Sequence, residues 1–205
     1  TIQLLNKYIE SKKLHIGKKK VIKKLPLLKQ SSLYGGVIYH DGQFYDSRLA
    51  VNVAQSCVEN GGCVVNYTKV TGLLKDARGK VAGVEVTDLE NNRNYRVKAK
   101  SVVNATGVFV DSIMQMDTPE AKDMVRPSQG VHLVLDKSFL QSDYALMIPK
   151  TDDGRVLFAV PWHNKVVVGT TDTLREKPDM EPQPLPHELE FVLTAAGGYM
   201  TTKRT

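Results

Sequence analysis

SVVNATGVFVDSI, Ser101 to Ile113, holds a short apolar run, then Asn104-Ala105-Thr106-Gly107, then an apolar-aromatic segment that reaches Asp111. The run Ser101 to Asn104 reads as a short buried strand, apolar and closed by a polar turn. A strand that stops at small residues ending in glycine leaves its backbone open to close approach. A ring or phosphate of a dinucleotide needs such an approach, so Ala105, Thr106 and Gly107 are candidate cofactor-facing residues. The same residues also describe an ordinary strand-to-loop turn, and the neighbouring sequence has to decide.

Upstream, Val81, Gly83-Val84 and Val86, then Tyr95, Val97 and Ala99, alternate around the polar turn LENNRN. That pattern predicts two antiparallel strands, with CVVNYTKVTGLLKD as a further strand before them. Asp46 is the expected N-cap of a helix through SRLAVNVAQSCVENGG, where Leu49, Val53, Ala54 and Cys57 recur at helical spacing and Gly61-Gly62 closes it. Asp41-Gly42, between two extended runs, predicts a hairpin. Lys19 to Lys29 reads as a basic connection, and Thr1 to Ser11 as a helix with Ile2, Leu5 and Ile9 on one face.

Downstream, GVHLVLD, YALMIPK, RVLFAVPW and KVVVGTTD predict four strands, with turns at Asp152 to Gly154 and His163 to Lys165. A proline-rich stretch, Pro178 to Pro186, leads into a helix from His187 towards Ala196. This order predicts an α+β fold. An α/β layer over residues 46–112 is intertwined with an antiparallel-sheet unit drawn from residues 1–45 and 113–205.

The chain has 205 residues, enough for one large domain or parts of two, and 41% of them are hydrophobic. It begins and stops without a closing element, as an excised piece of a longer protein would. The net charge of +6 points to anionic partners: a phosphorylated metabolite, nucleic acid or an acidic membrane surface. Five lysines fall in HIGKKKVIKK, His15 to Lys24, where a solvated face is the plainest reading. Two cysteines, Cys57 and Cys63, are too few for a disulfide scaffold. They read as buried small hydrophobes in a reducing, cytoplasmic setting. No stretch resembles a signal peptide or is long and apolar enough to span a bilayer. The five histidines are scattered, with no HxH or HExxH, so no spacing fits a metal site. GxSxG, P-loop and GxGxxG motifs are absent.

RPSQGVH places Arg126 and His132 near the start of a strand. An imidazole can take up a proton at neutral pH, and Arg126 can hold an anion or sit in a surface ion pair. In DDGRVLFAVPWHNKVVVGTTDT, Arg155 opens one strand and Thr170-Thr171-Asp172 closes the next. Hydroxyls and amides at a strand end can line an anion site, or simply tip a hairpin.

YGGVIYHDGQFYDSRL, NYTKV, VVNATGVFVDSI, RPSQGVHLVLD, DDGRVLFAVPWH and VGTTDT occur in one order at compact intervals. That series strongly resembles FAD-dependent glycerol-3-phosphate dehydrogenases of the quinone-linked or oxidase type, within the D-amino-acid-oxidase-like flavoproteins. The resemblance implies FAD as cofactor, with Ala105, Thr106 and Gly107 against it and Val70 contacting the adenine side through its backbone. It implies residues 46–112 as part of the FAD domain and the remainder as the substrate (cap) domain. The implied reaction oxidises sn-glycerol 3-phosphate to dihydroxyacetone phosphate, with electrons passed to the quinone pool or to oxygen. His132 is the implied base, Arg126 and Arg155 are phosphate or pairing candidates, and Thr170 and Thr171 line the site. A peripheral membrane contact on the inner face of the cytoplasmic membrane follows, and no nucleic-acid partner. The family's GxGxxG loop and its later substrate-binding arginine segment are missing from this stretch, as expected of an internal piece that is inactive alone. Gln129 stands where the family often has Lys, and Phe109-Val110-Asp111 where it has WVD. A related flavoenzyme acting on an amine or hydroxy acid is the main alternative. A non-catalytic basic binding module is the remote one, since the lysine run lacks the interleaved aromatics that single-strand binding uses.

Overall fold

The computed structural model describes residues 14–149, 151 and 154–201. The helix expected over Thr1 to Ser11, and Asp152 and Asp153 of the expected turn, lie outside those residues. In chain order the elements are β1 (Leu14–Gly17), α1 (Lys18–Lys24), β2 (Gly35–Ile38), α2 (Asp46–Glu59), β3 (Thr68–Lys75), β4 (Val81–Asp88), β5 (Arg93–Lys98), α3 (Val110–Asp117), β6 (Ser128–Gln129), β7 (His132–Asp136), β8 (Leu146–Ile148), β9 (Leu157–Trp162), β10 (Lys165–Gly169), β11 (Thr173–Leu174) and α4 (Pro186–Tyr199). The fold is α+β, and its strand pairs are antiparallel. The chain divides into two compact units: residues up to Gly42 together with those from Ser128 onward, and Gln43–Pro127.

The first unit is built on the sheet β7-β10-β9-β8. Its strands alternate, so every second side chain faces one way. Val166, Val168, Leu157 and Ala159 are buried on that face, while Phe158 on the other is exposed. The helix α4 lays Val192 and Ala196 into the same core, which Met200, Leu140, Ile148, Leu28 and Val21 complete. A two-residue turn at His163-Asn164 joins β9 to β10, as expected, and the left-handed φ of 51° at His163 suits such a tight turn. Pro186 opens α4, where its missing N–H costs nothing.

Two local expectations fail here. Asp41-Gly42 makes no hairpin; β2 instead pairs with β1, far back in the chain. The Asp41 carboxylate accepts the Gly42 N–H at 2.7 Å, and no strand follows before α2. The basic connection contains a helix, α1, because Val21 has a core to enter while its lysines stay in water.

The second unit carries the sheet β3-β4-β5. Its β4–β5 turn falls where alternation placed it, with Asp88 Oδ1 accepting the Glu90 N–H at 2.9 Å. Leu74 and Val86 are its buried apolar residues among those described. The run Ser101 to Asn104 forms no strand, and Val103 is 84% exposed. A buried strand needs a ladder partner for its N–H and C=O groups, and the sheet β3-β4-β5 offers it none. Cys57 and Cys63 are both exposed, against expectation. Cys57 lies on α2, and that helix has no buried residue. The same helix begins at Asp46, but its N-cap is Tyr45 with no side-chain cap bond.

Candidate functional site

Two clusters of polar groups stand out, one in each unit. In the first unit, β7 begins at His132, directly opposite Gly169 of β10. A Cβ on Gly169 would come within 2.5 Å of His132 Cδ2 and 3.0 Å of Nε2. The exposed imidazole therefore occupies the space a side chain at 169 would fill, and any larger residue there would push it away. Just before it, a Cβ on Gly130 would meet Thr170 Oγ1 at 2.6 Å. The Val131 N–H donates to Thr171 Oγ1 at 3.0 Å. His132, Thr170 and Thr171, separate in sequence, are thus held together by two glycines and one hydroxyl.

Thr171 is buried, and its hydroxyl donates to Glu188 Oε1 at 3.2 Å. Glu188 sits in the first turn of α4 and is 1% exposed. Its Oε2 accepts from the Gln129 side-chain amide at 2.7 Å and from the Leu185 N–H at 2.8 Å. Burial alone would push this carboxyl up. Hydrogen bonds from the Thr173 hydroxyl, the Leu185 N–H, the Gln129 amide and the Thr171 hydroxyl outweigh it and hold the carboxyl below the ordinary glutamate value. The Gln129 amide also donates to the Gln183 carbonyl at 2.9 Å, which fixes its orientation between two acceptors. Sequence reading missed Glu188. A Pro at the first helical position and Glu at the third are a capping signal. Nothing local says that the glutamate also reaches two strands.

Arg155 precedes β9, with its guanidinium 4.9 Å from the centre of the Phe191 ring on α4. Its Nη1 is buried. The Thr151 N–H and hydroxyl both donate to the Arg155 carbonyl at 2.9 Å, closing the turn between β8 and β9.

In the second unit, Ala105, Thr106 and Gly107 form an exposed turn. Asn104 braces it from beneath: its amide donates to the Val110 carbonyl at 2.9 Å, and its Oδ1 accepts from the Thr106 hydroxyl at 2.8 Å. Gly107 has φ of +58° and open space where a Cβ would be. Small side chains, an unobstructed backbone and a fixed shape suit a flat cofactor lying against the turn. Val70 is half-buried in β3, paired with Val86. The sequence pattern did not reveal α3, which starts at Val110 and carries Asp111. The Asp111 carboxylate accepts the N–H groups of Met124 and Val125 at 3.0 and 3.1 Å, anchoring the backbone that leads to exposed Arg126. Among the described residues, no group of three or more His, Cys, Asp or Glu could hold a metal ion.

The first unit thus carries a histidine over bare glycine, and the second a braced, exposed glycine turn. Comparison with known proteins supplies the class, an FAD-dependent oxidoreductase. A glycerol-3-phosphate dehydrogenase from Bacillus halodurans, solved with FAD, matches with a TM-score of 0.85 and 32% identity over 93% of this chain and 38% of that one. A glycine oxidase from Bacillus cereus matches with a TM-score of 0.71 at 18% identity, over 97% of this chain and 51% of that one, which speaks to the fold alone. The family model for FAD dependent oxidoreductases matches residues 3–204, and the chain belongs to that family. It is 38% identical over 187 residues to a probable mitochondrial glycerol-3-phosphate dehydrogenase of Caenorhabditis elegans, covering 91% of this chain and 26% of that protein. It is 37% identical over 210 residues to the mitochondrial glycerol-3-phosphate dehydrogenase of Saccharomyces cerevisiae, covering 90% and 32%. The chain therefore spans about a quarter to a third of the curated relatives it matches.

Proposed function

We propose that the whole protein oxidises sn-glycerol 3-phosphate to dihydroxyacetone phosphate, with FAD as hydride acceptor and a quinone or oxygen as final acceptor. The observation that carries this reading is the imidazole of His132, laid on Gly169 beside Thr170. FAD, when bound, supplies the redox chemistry by taking the hydride from C2 of the substrate. The chain's own residues do the rest. The His132 imidazole takes the proton from the C2 hydroxyl as the C–H bond breaks. Thr170, half-buried at the end of β10, lines the site, and buried Thr171 supports it from behind. Ala105, Thr106 and Gly107 offer the backbone against which the cofactor lies, with Val70 on its adenine side. Arg126 is exposed and free to meet a phosphate, whereas the Arg155 head stacks on Phe191 and favours a structural pairing.

In this reading residues 46–112 belong to the cofactor domain and the flanking segments to the substrate domain. The exposed lysines Lys18, Lys19, Lys20 and Lys23 of α1 support a peripheral contact with an anionic membrane surface, where a quinone would be met. The free thiols Cys57 and Cys63 accord with a reducing compartment, cytoplasmic on this reading.

Anaerobic mixing of the whole FAD-loaded protein with sn-glycerol 3-phosphate, glycine or lactate tests the reading. Bleaching of the flavin absorbance by the phosphate ester is expected. Bleaching by glycine or lactate in its place would assign the protein to an amine or hydroxy-acid oxidase.

A further inference from the structure

Glu188 is buried deeper than a helix cap requires, and its partners Gln129 and Thr171 lie outside its helix. Capping α4 needs the bond from the Leu185 N–H to Oε2 at 2.8 Å. The other bonds reach the strands that carry the site. Oε2 takes the Gln129 amide of β6 at 2.7 Å, and Oε1 takes the hydroxyl of Thr171, between β10 and β11. Because the Thr171 hydroxyl gives its proton to Glu188, its lone pairs face the Val131 N–H, which it accepts at 3.0 Å. Val131 is the residue before His132. Gln129, at the other end of the same short segment, pairs with Thr173 of β11. Gly130 between them has no spare room, since a Cβ there would meet Thr170 Oγ1 at 2.6 Å.

We propose that Glu188 is a positioning residue for the His132 site. Its carboxylate clamps the segment Gln129–Val131 to the segment Thr170–Thr173 and so sets where the imidazole lies on Gly169. The proposal rests on the reading of His132 as the base. Both carboxylate oxygens face donors, so charge and shape are each needed. An amide at 188 would turn an NH2 group towards at least one of these donors, so that an N–H must move or the Thr171 hydroxyl must rotate and lose its acceptor. Reaction geometry is sensitive on this scale: a displacement of about 1 Å can cost about a hundredfold in rate.

The test is stopped-flow flavin reduction by sn-glycerol 3-phosphate in the whole FAD-loaded protein. Wild type, Glu188→Gln, Thr171→Val and the double variant are compared, with His132→Ala as reference. Glu188→Gln is expected to slow the limiting reduction rate about ten- to a hundredfold, with a much smaller change in half-saturating substrate and an unaltered flavin spectrum. Thr171→Val breaks the same chain one link on, so the double variant should be no slower than the slower single. If Glu188→Gln does not load FAD, Thr171→Val, which keeps the Leu185 cap, carries the same expectation. A lowered melting temperature with a wild-type reduction rate in the loaded Glu188→Gln protein, or in Thr171→Val where that fails, would leave Glu188 a cap and overturn the proposal. Failure of the underlying reading looks different: His132→Ala then reduces as fast as wild type, or the substrate reduces neither, and the proposal falls with it.

Discussion

The sheet β7-β10-β9-β8 and the helix α2 draw on similar residues and end differently. In the first unit, Val166, Val168, Leu157 and Val192 are fully buried. In the second, Val51, Val53 and Val58 of α2 are each more than half exposed, and the helix buries nothing. An apolar side chain stabilises by the surface it removes from water, not by its type. The core residues of the first unit find their partners within that unit. The second unit shows exposed valines along α2 and an exposed glycine turn. Polar groups follow the same division. Glu188 is enclosed by donors, whereas Ala105, Thr106 and Gly107 are braced from one side and bare on the other.

That contrast can be broken by substitution. Leu157→Ala removes a fully buried side chain and should cost about 2–5 kcal/mol. Trp162 is the sole tryptophan, so urea unfolding followed by its fluorescence reports on the unit that Leu157 fills. A midpoint equal to wild type would mean that this core is not continuous. Gly169→Ala comes next. The new Cβ overlaps the exposed His132 ring, which can swing aside, so the stability cost should stay below about 1 kcal/mol. The larger consequence is a displaced imidazole, read as slower flavin reduction in the whole protein.

Acid acts on the two units unequally. Glu188 has a folded pKa below its reference of 4.5, so its share of stability is fully present above that pH and is lost as pH falls through the folded value. The exposed Asp136, held low chiefly by the Ser138 N–H, adds a loss of the same sign. Subtracting the Glu188→Gln curve isolates the Glu188 share. The gap between the two proteins should be constant above pH 4.5 and shrink below it. A gap that widens on acidification would reverse the assigned shift. The smallest effect belongs to α2: Val53→Ala should change local stability by less than about 0.5 kcal/mol in this chain. Amide hydrogen exchange over α2 would register a larger loss if the helix were packed on its own unit.

How far the sequence could be read follows the range of the forces involved. The β-forming runs in Leu157 to Gly169 identified two strands and their turn, because runs, turn and pairing lie within one short stretch. The same holds for β4 and β5. The β1–β2 pairing was illegible, since β2's partner lies some twenty residues back and the nearby Asp41-Gly42 signal pointed elsewhere. Cys57 and Ser101 to Asn104 read as buried because apolar character shows only what a residue would gain from a partner. At the site, His132, Thr170 and Thr171 could be picked out by type, and their meeting depends on a register that places Gly169 opposite His132. Glu188 went unread, and nothing local could mark it as the link between β6 and the end of β10, since those contacts span 59 and 17 residues.

If His132 takes the C2 proton, its loss must slow flavin reduction. The limiting rate of reduction by sn-glycerol 3-phosphate in whole, FAD-loaded His132→Ala against wild type, without oxygen, measures this. A fall of about a hundredfold or more, with the flavin spectrum intact, is the predicted result. An unchanged rate would contradict it and remove His132 from the chemistry.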